Sequence, residues 1–294
     1  MTTWIRIVKT AVVAGTVAAA AAGTTACGSA DAQPSPEEKA AAAAAGAAPR
    51  VVTVTAHDYS FEAPAEVPAG PTTFRLVNAG EQIHHVQLVR LDEGKTMQDL
   101  FAAFEAGGPP PAWAHEVGGP NAPNPRGGES NATVTLEPGN YVLLCFVDLP
   151  GGVPHVMRGM AKALRVTAPT ASAGERAADV TMTLDDYSFT LSKPLAAGKH
   201  TVRVENTAEQ PHEVELVRFA PGKTLDDLGA WMANPQGPPP AELVGGVTAI
   251  APGVTNTFDV ELAAGQYALL CFVPDAGDGK PHLHHGMAQP FTVD

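Results

Sequence analysis

From residue 51 onward, apolar and polar residues alternate in short runs. Val52 and Val54, Phe74 and Leu76, Val86 and Leu88, and Val134 and Leu136 stand at period-two positions with polar residues between them. This spacing turns one face of each segment toward a core and predicts half-buried β-strands. Turn pairs separate the runs at Ala69-Gly70, Pro138-Gly139 and Ala264-Gly265, the punctuation expected of an antiparallel sandwich. Two segments depart from the alternation. Thr96 with Asp99 forms a capping signature ahead of Leu100, Phe101 and Phe104, and Thr224 with Asp227 repeats it, so one short helix is predicted in each place. The proline runs 109–111 and 238–240 are expected to end those helices and open long loops.

The whole pattern occurs twice. Asp58-Tyr59-Ser60-Phe61 returns as Asp186-Tyr187-Ser188-Phe189, an offset of 128 that also carries Asn78 onto Asn206, Glu81-Gln82 onto Glu209-Gln210 and Gly94-Lys95-Thr96 onto Gly222-Lys223-Thr224. Farther along, Tyr141 to Phe146 returns as Tyr267 to Phe272 with the offset reduced to 126. A period this long marks two domains, each with its own core, over a solenoid. The boundaries fall at 51–167 and 179–294, with 168–178 as linker. With 29 Gly, 27 Pro and few aromatics, composition agrees with an all-β chain rich in turns.

The N-terminus is different in kind. Arg6 and Lys9 precede the small apolar run Ala11 to Ala22, then Thr24-Thr25-Ala26 and Cys27. Residues 1–27 therefore read as a signal peptide, too short in apolar length to span a bilayer. Residues 28–50, rich in Ala, Pro and Glu, read as a flexible tether. Cys27 after a small residue and before Gly28-Ser29-Ala30 resembles the lipobox of bacterial lipoproteins. That resemblance implies lipidation of Cys27 and anchoring to the outer face of the cell membrane; ordinary cleavage at the same bond is the alternative. The net charge of -13 and the lack of a basic patch exclude nucleic acid as a partner.

Each repeat holds one Cys at the end of an apolar strand, Cys145 or Cys271, so no disulfide can form within a copy. A bridge between them would need the two strand ends to meet. After each Cys come a Pro-His step and a Gly-Met pair, giving His155 with Met160 and His282 with Met287. Upstream, Gln82-Ile83-His84 matches Gln210-Pro211-His212, which makes His84, not His85, the counterpart of His212. Thiolate, thioether and two imidazoles together suit copper in both oxidation states. The order of these residues resembles the cupredoxin family of plastocyanin- and azurin-like blue copper proteins. The resemblance implies two tandem Greek-key β-sandwiches and one copper per domain. The ligands would be His84, Cys145, His155 and Met160 in the first, and His212, Cys271, His282 and Met287 in the second.

One departure concerns spacing. Nine residues separate Cys145 from His155 and ten separate Cys271 from His282, longer than the family's usual interval. Closing the longer loop costs on the order of 1 kcal/mol, against roughly 10 kcal/mol for multidentate metal binding. In the second copy His284 and His285 remain alternatives to His282. His57, His115 and His200 have no counterpart in the other copy and receive no role. Copper enzymes of this family carry a His beside the ligand Cys. Here Phe146 and Phe272 stand there, and His282-x-His284 is the lone His-x-His pair. An enzyme is not expected. The function expected is electron transfer with a redox partner protein; the alternatives are a copper store or chaperone and a metal-free binding module at the cell surface.

Overall fold

The computed structural model describes residues 48–294 except 108–109, 150–151, 171–173 and 175. The expected signal peptide, Cys27 and the tether as far as residue 47 lie outside the described residues. In the first repeat the alternating runs form β1 (Arg50–His57), β2 (Ser60–Glu62), β3 (Glu66–Pro68), β4 (Gly70–Asn78), β5 (Gln87–Leu91), β6 (Ala114–Gly118), β7 (Gly128–Leu136), β8 (Gly139–Leu144) and β9 (Ala161–Thr167). The second forms β10 (Val180–Asp185), β11 (Ser188–Leu191), β12 (Gly198–Asn206), β13 (His212–Phe219), β14 (Ala241–Ile250), β15 (Thr255–Leu262), β16 (Gly265–Leu270) and β17 (Ala288–Val293). Val54, Phe74, Leu76, Val86 and Leu88 are wholly enclosed, as their alternation requires. No helix among the described residues is long and apolar enough to cross a membrane.

The helices are α1 (Met97–Ala106) and α2 (Leu225–Ala233), each opened by a complete capping box. The Thr96 and Thr224 hydroxyls accept the N–H of Asp99 and Asp227, whose carboxylates accept the Thr N–H in return. Leu100 packs on Val89, Leu91, Val142 and Leu144, and Leu228 on Val217, Phe219, Ala268 and Leu270. This explains the unbroken apolar runs of β8 and β16: one face meets the sandwich core and the other meets a helix. The helices stop at Gly107 and Asn234, whose N–H groups bond back to Phe104 and Ala230. The second proline run is therefore not the stop signal, and it opens no long loop, because Pro240 leads directly into β14.

Two sheets run through both repeats. One has the order β11-β10-β12-β15-β7-β4-β1-β2 and the other β17-β16-β13-β14-β6-β5-β8-β9-β3. Each order is nearly palindromic. Edge strand β7 meets its own counterpart β15 at Thr133 and Thr257, and β6 meets its counterpart β14 at Val117 and Ile250. The repeats are thus joined edge to edge about a pseudo-two-fold, and Ala44–Asp294 forms one compact unit. Pairing these edges removes the exposed strand ends that would otherwise recruit other chains. Glycines permit the approach: a Cβ on Gly118 (φ +88°) would lie 1.8 Å from the Asn256 side chain, and one on Gly245 (φ +115°) 2.6 Å from Ser130 Cβ. The apolar core of each half remains nearly its own, with Ala132 the one residue of the first repeat in the second core.

Candidate metal centres

Each half brings three expected donors together at one end of its sandwich. Cys145 follows the last residue of β8, His84 lies in the segment between β4 and β5, and His155 opens a single 3-10 turn (His155–Arg158) ahead of β9. All three are fully buried. Cys145 Sγ lies 3.9 Å from His84 Nδ1 and 3.5 Å from His155 Nδ1, and the two Nδ1 atoms are 3.1 Å apart. In the second half Cys271 Sγ lies 3.8 Å from His212 Nδ1 and 3.4 Å from His282 Nδ1. Donors sharing one ion at bond lengths of about 2.0–2.3 Å in a trigonal plane stand about 3.5–3.8 Å apart. The Cys–His edges, 3.4 to 3.9 Å, lie within 0.1 Å of that range and agree between the halves to 0.1 Å, while the His84–His155 edge of 3.1 Å is shorter. The residues present fit a thiophilic cation.

Met160 and Met287 are also fully buried. Their carbonyls accept the N–H of Cys145 at 3.3 Å and of Cys271 at 3.2 Å, and their own N–H groups bond to the carbonyls of His155 and His282. His284 and His285 are exposed, and His285 bonds to Asp278, so His282 is the ring against the second thiol. Cys145 and Cys271 are free thiols, each within its own half. His57, His115 and His200 make surface contacts with Glu62, Asp92 and Asp179.

The long segment after each Cys is pinned at its base. His155 N–H bonds to Val147 O and Val156 N–H to Cys145 O, while Asp148 and Pro154 bridge. His282 N–H bonds to Val273 O and Leu283 N–H to Cys271 O, with a bridge between Pro274 and Pro281. The extra residues form an excursion beyond these bonds. For the ligand atoms the loop is short.

Further residues orient the rings. His84 Nε2 sits 2.8 Å from Asp58 Oδ1, and His212 Nε2 2.8 Å from Asp186 Oδ1. Placing the ring proton on Nε2, toward the carboxylate, leaves the Nδ1 lone pair facing the sulfur. Asp58 is itself held by the N–H groups of Glu81 and Gln82. Burial would raise its carboxyl, but the His84 bond and those two N–H groups leave it below the usual range. Tyr59 and Tyr187 meet the second ring edge-on at 5.2 and 5.3 Å. Both tyrosines have positive φ, 66° and 132°, a conformation that costs on the order of 1–3 kcal/mol for such a residue. The repeated Asp-Tyr-Ser-Phe segment was the available signal for this layer. Its Asp and Tyr support the ligands, a role that strand periodicity does not reveal.

Burial holds His155 and His282 at about 4 and pushes His84 down against the pull of Asp58. It also pushes the Cys145 thiol up to about 11; burial and the charge of Glu213 push Cys271 up as well. A cation entering either pocket therefore displaces a thiol proton, and at His84, His155 and His282 it meets rings that burial already favours as neutral. A third group brings Asp275 and Asp278 of the second excursion together with His285, which follows it. Its Asp275 is committed to Tyr187, Gln210 and the N–H groups of Gly277 and Asp278.

A sandwich carrying His, Cys, His and Met in this order, with the thiol at the end of a helix-backed strand, is the arrangement that the cupredoxin resemblance implies. The chain is cupredoxin-like. No protein-family model matches this cupredoxin-like chain, and no curated protein matches it. Among solved structures it is similar to dithionite-reduced auracyanin from Roseiflexus castenholzii, at 26% identity over 42% of this chain and 99% of that one, TM-score 0.26. It is similar to a multicopper oxidase at 11% identity over 83% of this chain and 89% of that one, TM-score 0.25. A copper nitrite reductase from Nitrosomonas europaea matches at 15% identity over 83% of this chain and 94% of that one, TM-score 0.25.

Proposed function

We propose that this chain is an exported copper protein that carries electrons through two mononuclear centres, one in each half. The observation that carries the reading is the gathering of one Sγ and two Nδ1 atoms at one place, built twice with matching Cys–His distances. His84, Cys145 and His155 would hold the first ion and His212, Cys271 and His282 the second, with Met160 and Met287 as the additional thioether donors. Copper bound by such a mixed soft and nitrogen set supplies one-electron chemistry. The chain fixes the rings through Asp58 and Asp186, excludes water from every donor, and releases the thiol proton on binding. Full burial of all four groups in each half favours a resident ion over a store or chaperone, whose cargo must exchange.

The rest of the proposal concerns where the protein works. Residues 1–27 would direct export, a lipid on Cys27 would hold it at the outer face of the cell membrane, and residues 28–50 would act as the leash. A redox partner protein would dock at the first half, where Ile83, Val153 and Met157 flank the two rings and are 37%, 45% and 46% exposed. The test is to load the purified chain with copper(II), count the metal and record the visible spectrum. Two coppers per chain with intense visible absorption are expected. No tight binding would leave a metal-free surface module.

A further inference from the structure

Positions 85 and 213 are equivalent in the repeat yet carry His and Glu. Both hold the residue that follows their Cys. Their side chains accept its N–H: Phe146 N to His85 Nε2 and Phe272 N to Glu213 Oε1, both at 2.9 Å. The backbone N–H of Glu213 also donates to Cys271 Sγ at 3.5 Å. Each residue thus fixes the backbone beside its Cys.

The two segments meet at one residue. Val86, next to His85, donates its N–H to Pro120 O at 3.0 Å, and Pro120 leads directly into Asn121. Asn121 Nδ2 in turn donates to Glu213 Oε2 at 3.2 Å. Asn121 is 2% exposed and firmly placed. Its N–H bonds to Gly246 O, its carbonyl accepts from Ser130, and its Oδ1 accepts the N–H of Ala122. Its Nδ2 also reaches Val214 O and Val247 O. An unbroken set of covalent and hydrogen bonds therefore runs from one thiol to the other, across the junction between the halves. Buried hydrogen-bond chains polarise one another, so a change at one end is felt along the chain.

We propose that His85, Asn121 and Glu213 form a bridge that couples the two thiol sites, so that filling one changes the affinity of the other. The proposal deepens the copper reading and rests on it. The coupling is a free energy shared by both sites and acts equally in both directions. Glu213→Gln is the sharpest perturbation. It keeps the shape and the bond to Phe272 but sets one amide NH2 against another at Asn121, while Ala122 N–H fixes the Asn orientation.

The experiment titrates copper(I) into the full chain against a competing chelator and resolves two stepwise affinities. Cys145→Ala and Cys271→Ala chains supply the intrinsic affinity of each remaining site. The bridge predicts a second-step affinity in the parent chain at least about five-fold away from the intrinsic one. With Glu213→Gln, measured against its own single-site references, the steps become independent; Asn121→Ala provides a second break should the first fold poorly. Independent steps in the parent chain overturn the bridge. If no chain binds copper, the copper reading fails, and the bridge is tested in the metal-free protein by amide NMR. There His85→Ala should shift the Phe272 N–H resonance across the junction, and Asn121→Ala should abolish that response. An unmoved Phe272 resonance overturns the bridge by itself.

Discussion

Beside the ligands of the first half in sequence stand the exposed apolar residues Ile83, Val153 and Met157; in the second half the same positions carry Pro211, Lys280 and His284. Behind the clusters the contrast changes form. His85 and Gln87 line the first half of the junction, whereas Glu213 and Glu215 line the second. The Cys–His distances nevertheless agree to 0.1 Å. Geometry at the ligand atoms is set by strand ends, pinned loop bases and an Asp behind the ring, and these are the same in both halves. The surroundings are free to diverge, toward an apolar face on one side and buried acids on the other.

The strongest way to break this comparison is to remove one sulfur at a time. Cys145→Ala and Cys271→Ala should each lower copper from two to one per chain, and the double variant should bind none. Metal analysis after dialysis reads the outcome. A single substitution that abolished both sites would mean one shared centre, not two.

A milder perturbation acts behind the rings. Asp58→Asn and Asp186→Asn should each weaken copper binding about 10–100-fold, in their own half only, because the carboxylate fixes the ring tautomer and its basicity. Chelator competition on single-site chains gives the two ratios, which should be alike. Clearly unequal ratios would show that the divergent surroundings reach the ligands.

The acids of the second half make a pH prediction. Burial and the charge of Glu213 push the Glu215 carboxyl well above 4.5, and its Oε1 has no partner. An acid whose folded-state pKa is raised contributes its full stability below its unfolded value and loses it as pH rises toward the folded one. Metal-free chain should therefore lose stability as pH climbs above about 4.5, and Glu215→Gln should flatten that loss in urea titrations. Gln87, the counterpart, carries no such charge, so Gln87→Glu should add a second decline of the same sign.

The smallest expected effect is at the helix caps. Thr96→Ala and Thr224→Ala should each cost about 0.5–2 kcal/mol of stability, measurable by thermal or urea unfolding. Copper content should not change, since neither helix contributes a donor.

The strands, both helices and the candidate donors were legible because period-two alternation, a capping pair and an internal repeat are local signals. His84 could be chosen over His85 by aligning Gln82 with Gln210. The choice among His282, His284 and His285 could not be made, because it depends on which ring a 3-10 turn points inward. Asp58 and Tyr59 were visible as a repeated segment, but their service to His84 and His155 is a contact made across the fold. The edge-to-edge junction was hidden for the same reason. Gly118 and Gly245 look like ordinary turn glycines until the strands they admit are seen together, and Asn121 has no meaning until both halves surround it.

Whether the three gathered atoms hold the metal is read by X-ray absorption at the copper edge of the fully loaded chain. Each copper should show one short sulfur scatterer and two imidazole nitrogens, and the one copper left in Cys145→Ala or Cys271→Ala should show the same shell. A shell of nitrogen and oxygen alone, with no sulfur, would contradict that expectation.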